Sequence, residues 1–131
     1  MTSFEYLQGL VTPNIRAALA YVHGRMKAEL SSEQYAYRWP HTLRVADIAA
    51  RIAMESGLDS EALILGGVLH DIGYVLCKTQ EDYEDHGLLS AEIGAEFLAG
   101  LSVSKEQQDS ICFGIRIHTL PPEKHPRPAT D

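Results

Sequence analysis

The sequence predicts an all-α fold, a compact single-domain bundle of about five to six helices, on three observations. Apolar residues recur at intervals of three and four along most of the chain, the signature of one buried helix face. Helix start and stop signals bracket these stretches. No segment alternates apolar and polar residues with the period of two that a half-buried strand requires. At 131 residues, 45% of them hydrophobic, the chain is long enough to close one core without disulfides.

Taken in order, Thr12 followed by Pro13 reads as an N-cap with proline at the first helical position, opening a helix that runs to about Leu30. Ser31 and Ser32 punctuate it. A second long helix is expected to start near Pro40 and to stop at Gly57, with Val45, Ile48, Ala49, Ile52 and Ala53 as its apolar stripe. Asp59 or Ser60 caps a third, through Ala62, Leu63, Leu65 and Val68 to His70. Lys78 to Asp85 is polar and acidic and reads as a loop. Another helix follows from about Gly87 to Leu98, closed by Gly100, and Ser104 caps the last, whose face is Ile111, Ile115 and His118. The ending TLPPEKHPRPATD holds four of the six prolines, so no helix passes through it. The expected organisation is an N-terminal helical segment (1–34) packing on a core (35–120), then a proline-rich tail or loop (121–131) that leaves room for truncation after Asp131.

Composition excludes several function classes. The formal net charge is −7 and no basic stripe occurs, so nucleic acid is not an expected partner. No apolar run approaches a membrane span and the N-terminus lacks the pattern of a signal peptide, so a cytoplasmic location is expected and no membrane partner. Cys77 and Cys112 are too far apart for a ligand pair and read as small buried apolar residues. Homo-oligomerisation is left open.

Four of the six histidines share a placement. His41, His70, His86 and His118 each lie at or near a helix end, three, four or seven residues from apolar positions of the same helix. Imidazole is costly to bury without a partner, and four separate buried networks would be expensive in so small a domain. One shared cation satisfies all of them, and imidazole with carboxylate suits Fe, Mn, Co, Ni or Zn, with Mg also admissible. Gly66 and Gly67, beside the His70 face, fit close approach of another helix that would bring in His41, and simple tight packing fits them equally.

These residues fall into motifs: His41-Thr-Leu-Arg-Val-Ala46, then Leu69-His70-Asp71-Ile72-Gly73, then His86-Gly-Leu-Leu-Ser-Ala91 and Ile115-Arg-Ile-His118-Thr119. In this the chain resembles the HD superfamily of metal-dependent phosphohydrolases over about residues 35 to 120. The resemblance implies that His41, His70 and Asp71 bind a divalent metal together with a later Asp. His86 and His118 stand where a second ion would find its ligands, so one or two ions are expected, with Asp71 between them. It further implies that a metal-activated water attacks a small phosphorylated substrate, expected to be a nucleotide, with Asp71 as the catalytic residue orienting that water. Two departures from the pattern are visible. The only Asp after His118 is Asp131, in the tail, and Tyr74 stands where cyclic-dinucleotide phosphodiesterases of the superfamily commonly carry Lys.

On the substrate side, Arg44 lies one turn beyond His41, and Lys124, with His125 and Arg127, could close over an anion. Tyr35, Tyr37 and Trp39 either line the pocket mouth or pack the entry segment, and His23 reads as structural. Two alternatives stand beside the hydrolase. One is a di-iron oxygenase of the same fold, acting on a small alcohol or phosphonate. The other is a degenerate ligand-sensing module, which the missing Asp would suit.

Overall fold

A computed structural model describes residues 4–117, and among them all regular structure is helical. Seven α-helices and one 3-10 turn follow in order: α1 (Glu5–Leu10), α2 (Pro13–Glu29), α3 (Ser32–Ser56), α4 (Ser60–Leu69), the 3-10 turn (Ile72–Leu76), α5 (Gln80–Glu84), α6 (His86–Leu98) and α7 (Lys105–Ile117). That exceeds the expected five to six because two short helices, α1 and α5, carry too few residues to show a period.

Helix α4 is the centre of the bundle. Ile64, Leu65, Gly67, Val68 and Leu69 are all buried, leaving it apolar on nearly every side, as a helix surrounded by others must be. Helices α1, α2, α3, α6 and α7 all pack on it. Asp59 caps it, its Oδ1 accepting from the Ala62 amide at 3.2 Å. Helix α2 contributes Ile15, Ala18, Val22 and Met26, spaced three and four apart and fully buried. Thr12 starts α2 as read from the sequence, accepting from the Ile15 amide, while its hydroxyl donates to Glu61 at 2.6 Å and ties α2 to α4.

Helix α3 differs from its expected form in two ways. It begins at Ser32 with Ser31 as N-cap, so Pro40 lies inside the helix rather than in its first turn. Proline there donates no backbone hydrogen bond, and a 25-residue helix held on one side by packing tolerates that loss. The buried face also sits one position over: Thr42, Ala46, Ala50 and Ala53 face the core, whereas Ile48 and Ile52 are 55% and 47% exposed. Small residues on that face admit α4 closely. A Cβ on Gly67 would lie 3.3 Å from the Ala46 Cα, so glycine is the residue that lets the two helices meet. Gly57 closes α3 in the left-handed region at φ 68°.

The acidic stretch expected as a loop forms α5 instead. Thr79 and Asp82 make a reciprocal capping box, each side chain accepting from the other's backbone, and this stabilises a single turn that hydrophobic periodicity cannot reveal. Helices α6 and α7 then pack against each other, Ile115 of α7 reaching within 3.5 Å of the Cβ position of Gly94.

Candidate metal centre

Three separate elements deliver the site. His41 comes from the middle of α3, His70 is the C-cap of α4 and His86 is the first residue of α6. Asp71 follows His70 at the point where the helix ends, with φ −117° and ψ 12°, close to the bridge region in which side chains at helix ends are redirected. Its carboxylate is 4% exposed and sits between the three imidazoles. Oδ2 lies 3.0 Å from His70 Nε2 and 3.4 Å from His41 Nε2, and Oδ1 lies 3.3 Å from His86 Nε2.

Hydrogen bonding fixes which ring nitrogens face the carboxylate as acceptors. His70 Nδ1 is 2.6 Å from the Gly67 carbonyl and His86 Nδ1 is 2.8 Å from the Tyr83 carbonyl. A carbonyl oxygen only accepts, so each Nδ1 carries the proton. In the neutral rings the Nε2 lone pairs therefore point at Asp71. Burial lowers the His41 pKa, with the Asp71 charge opposing and His70, Arg44 and Arg38 adding to the fall. Ring nitrogens and carboxylate oxygens converge here at 3.0–3.4 Å, an arrangement that either a ring proton or a bound cation completes.

The donor set fits a divalent metal. His41, His70 and Asp71 each offer one ligand atom, and those atoms lie within 4.8 Å of one another. Two ligands about 2.1 Å from a shared ion are about 3.0–3.4 Å apart for bond angles between octahedral and tetrahedral, which matches the 3.0 and 3.4 Å from Asp71 Oδ2 to His70 and His41. The carbonyl partners of His70 and His86 supply the outer contacts that orient ligating imidazoles. His86 faces the other carboxylate oxygen, where a second ion would share Asp71 with the first.

The placement of His86 depends on a glycine. A Cβ on Gly73 would lie 2.6 Å from the Ser90 amide nitrogen and 2.7 Å from the His86 carbonyl, so only glycine lets the first turn of α6 close on the His-Asp turn. The Gly73 amide also donates to the buried Ser90 Oγ at 2.8 Å.

Around this centre lies an aromatic rim. Tyr37 stacks on His41 with centroids 5.9 Å apart, and Tyr74 stacks on His86 at 4.5 Å. The Arg38 guanidinium lies 3.6 Å from the Tyr74 ring centroid and 5.0 Å from that of Tyr37, and its Nε donates to Gln34 at 3.3 Å. Burial raises the Tyr74 pKa, with Arg38 opposing, so the phenol keeps its proton. Sequence reasoning missed Arg38. The available signal was its spacing, three residues before His41 and thus on the same helix face.

The other expected site residues divide. Arg44 is exposed on α3, and it acts on His41 only through its charge. Tyr35 and Trp39 pack on His23 rather than at the mouth, the Tyr35 hydroxyl meeting His23 Nε2 at 2.8 Å and the Trp39 ring centroid lying 4.8 Å from that of His23. His118, Lys124, His125, Arg127 and Asp131 lie outside the described residues.

The profile of the family described as HD domain matches residues 38–130. Among curated proteins, the chain is 32% identical over 99 residues to a protein named Ribonuclease Y from Mycoplasma mycoides, which covers 73% of this chain and 22% of that protein. It is 34% identical over 107 residues to the Ribonuclease Y of Fusobacterium nucleatum, covering 82% of this chain and 19% of the relative. For the Ribonuclease Y of Sulfurovum the figures are 41% over 73 residues, 56% and 13%. The chain thus spans about a fifth or less of the length of these relatives. No solved structure gives a significant match.

Proposed function

The chain belongs to the HD-domain superfamily of metal-dependent phosphohydrolases, and from that premise we propose that it cleaves a phosphoester or phosphoanhydride of a small molecule at the His41, His70, Asp71 and His86 centre. The observation that carries this reading is the buried Asp71 carboxylate, with both oxygens facing histidine nitrogens from three different elements. A divalent metal bound there would lower the pKa of a bound water and neutralise charge on the phosphate oxygens. His41, His70 and Asp71 would hold the first ion, and His86 would share Asp71 with a second. Asp71, already fixed by its neighbours, orients the attacking water. Arg38, restrained by Tyr74, Tyr37 and Gln34, offers the cation that meets the phosphate. Arg44 remains a second, more exposed candidate for that role, and Lys124 a third from the tail.

For the organic part of the substrate, an apolar group is one reading and a nucleotide the other. The exposed Tyr37 ring beside His41 supports the nucleotide by offering a face on which a base can stack. The name of the relatives brings a further reading, cleavage of an RNA phosphodiester. The net charge of −7 argues for a small substrate instead, because a chain that tracks a phosphate backbone needs clustered Lys and Arg. The test is hydrolysis of a panel of small phosphoesters, nucleotides and a short oligoribonucleotide with Mn, Fe, Co, Ni, Zn or Mg. It is read without oxygen as released phosphate or as oligoribonucleotide fragments, with oxygen uptake followed in a parallel reaction under air. Metal-dependent release from a small ester that Asp71→Ala abolishes is expected. Oligoribonucleotide cleavage alone would favour the RNA reading, and oxygen consumption in place of phosphate release would contradict hydrolysis.

A further inference from the structure

A groove of about 520 Å³ runs along α4 between α3 and α7, and His70 forms one end of it. From Ala62 to His70 its floor follows α4 for about 12 Å at 1.5 Å per residue. Its walls are mainly aliphatic, Val45 and Ala49 from α3, Leu63 from α4, Ile111 and Ile115 from α7, with Ser110 as the polar residue on the α7 side. Among the described residues lining it, no Lys or Arg occurs. Asp59, at the far end, has both carboxylate oxygens engaged, by the Ala62 amide at 3.2 Å and by Gln107 Nε2 at 2.8 Å.

Two glycines keep this space open. Gly66 and Gly114 both line the groove, and a Cβ at either would meet nothing within 4 Å. Gly67, by contrast, is required by the closeness of Ala46. A helical glycine without a packing reason is worse than alanine by up to about 1 kcal/mol. Packing against the described residues does not account for Gly66 and Gly114, nor for Gly24 outside the groove, so the two lining glycines show room for an occupant and the lining shows its chemistry. The lining also restricts its chemistry. A nucleobase seated here would leave its donors and acceptors against aliphatic walls, which is costly, while a hydrocarbon loses nothing.

We propose that the groove binds the organic part of the substrate, and that this part is an apolar alkyl or acyl group whose phosphate lies at the His70 end. The proposal rests on the phosphohydrolase reading for the placement of the phosphate, and on the groove alone for the class of organic group. Its continuity with His70 ties it to the candidate centre.

Steady-state hydrolysis of methyl, butyl and octyl phosphate by the metal-loaded full chain, with adenosine monophosphate alongside, tests it. Calorimetric binding of octanol to the same protein supplies a readout that needs no turnover. The expected result is a rise in kcat/KM with chain length, up to about fourfold per buried methylene, and saturable octanol binding. Gly66→Leu puts a side chain into the groove from a position where an added Cβ meets nothing within 4 Å, and circular dichroism verifies that it folds. It is expected to lower the octyl-to-methyl preference at least tenfold and to abolish octanol binding. Octanol binding that Gly66→Leu abolishes, with no phosphate released from any ester, supports the groove and sinks the hydrolase. Phosphate release that ignores chain length, or that prefers adenosine monophosphate to octyl phosphate, overturns the groove and leaves the hydrolase standing. Failure of the full chain to bind octanol also overturns it, whether another part of the chain or a second copy then fills the space.

Discussion

Arg38 and Arg44 sit on the same helix, three residues to either side of His41, yet they differ in what holds them. Arg38 lies against the Tyr74 and Tyr37 rings and bonds Gln34, whereas Arg44 is exposed. An ordered guanidinium loses less entropy when it binds an anion. Arg38→Ala is therefore expected to lower kcat/KM about thirtyfold, the equivalent of about 2 kcal/mol for a lost charged hydrogen bond. Arg44→Ala should change it less than threefold, and the two variants compared on one substrate decide the assignment. Sequence reasoning named Arg44 and missed Arg38 because Tyr74, which pins Arg38, lies 36 residues further on. The ligand residues were easier to read. His41, His70 and His86 stood out on apolar helix faces and Asp71 by its place after His70. The structure brings these four together, with His41 inside α3 and not, as expected, at a helix end, because α3 starts at Ser32.

Three helix ends were legible from their caps. Thr12-Pro13, Asp59 and Gly57 each mark the end of an element by a local hydrogen bond or a left-handed residue, and each is where the sequence puts it. Helix α3 was misjudged because Pro40 is a start signal in most helices, and α5 because one turn is shorter than any hydrophobic period. Pro40→Ala restores a backbone donor in the middle of a helix, so thermal melting should show a gain of about 1–3 kcal/mol. The contact between the 3-10 turn and α6 is the element-level feature that sets the site. Ser90→Ala leaves the buried Gly73 amide without its acceptor, at a cost of about 1–3 kcal/mol. That predicts a fall in Tm of roughly 3–10 °C for a chain of this size. Gly73→Ala should cost at least as much and should also weaken metal binding, because the added Cβ pushes against the His86 carbonyl. Titration of metal into each variant separates the two effects.

At the scale of the whole molecule, the candidate ligands belong to three elements that only the folded bundle brings together. His41 comes from α3, His70 and Asp71 from the end of α4, and His86 from α6. An ion bound there stabilises the native state and has little affinity for the unfolded chain. Mn or Zn at about a hundred times its Kd should therefore add about 2.7 kcal/mol and raise Tm by roughly 8–10 °C, and a chelator should reverse the shift. The overall helical architecture was legible because nearly every long segment carries the same period. The apolar groove was not, since its walls come from α3, α4 and α7, and a wall facing space reads in sequence like one facing a neighbour. The central claim is that Asp71 organises a metal centre, and elemental analysis of metal per chain for the parent and for Asp71→Ala tests it most directly. The account predicts one or two equivalents of a divalent transition metal in the parent and near-complete loss in a variant that remains helical by circular dichroism. A parent that binds none, or a variant that keeps its full complement, would contradict it.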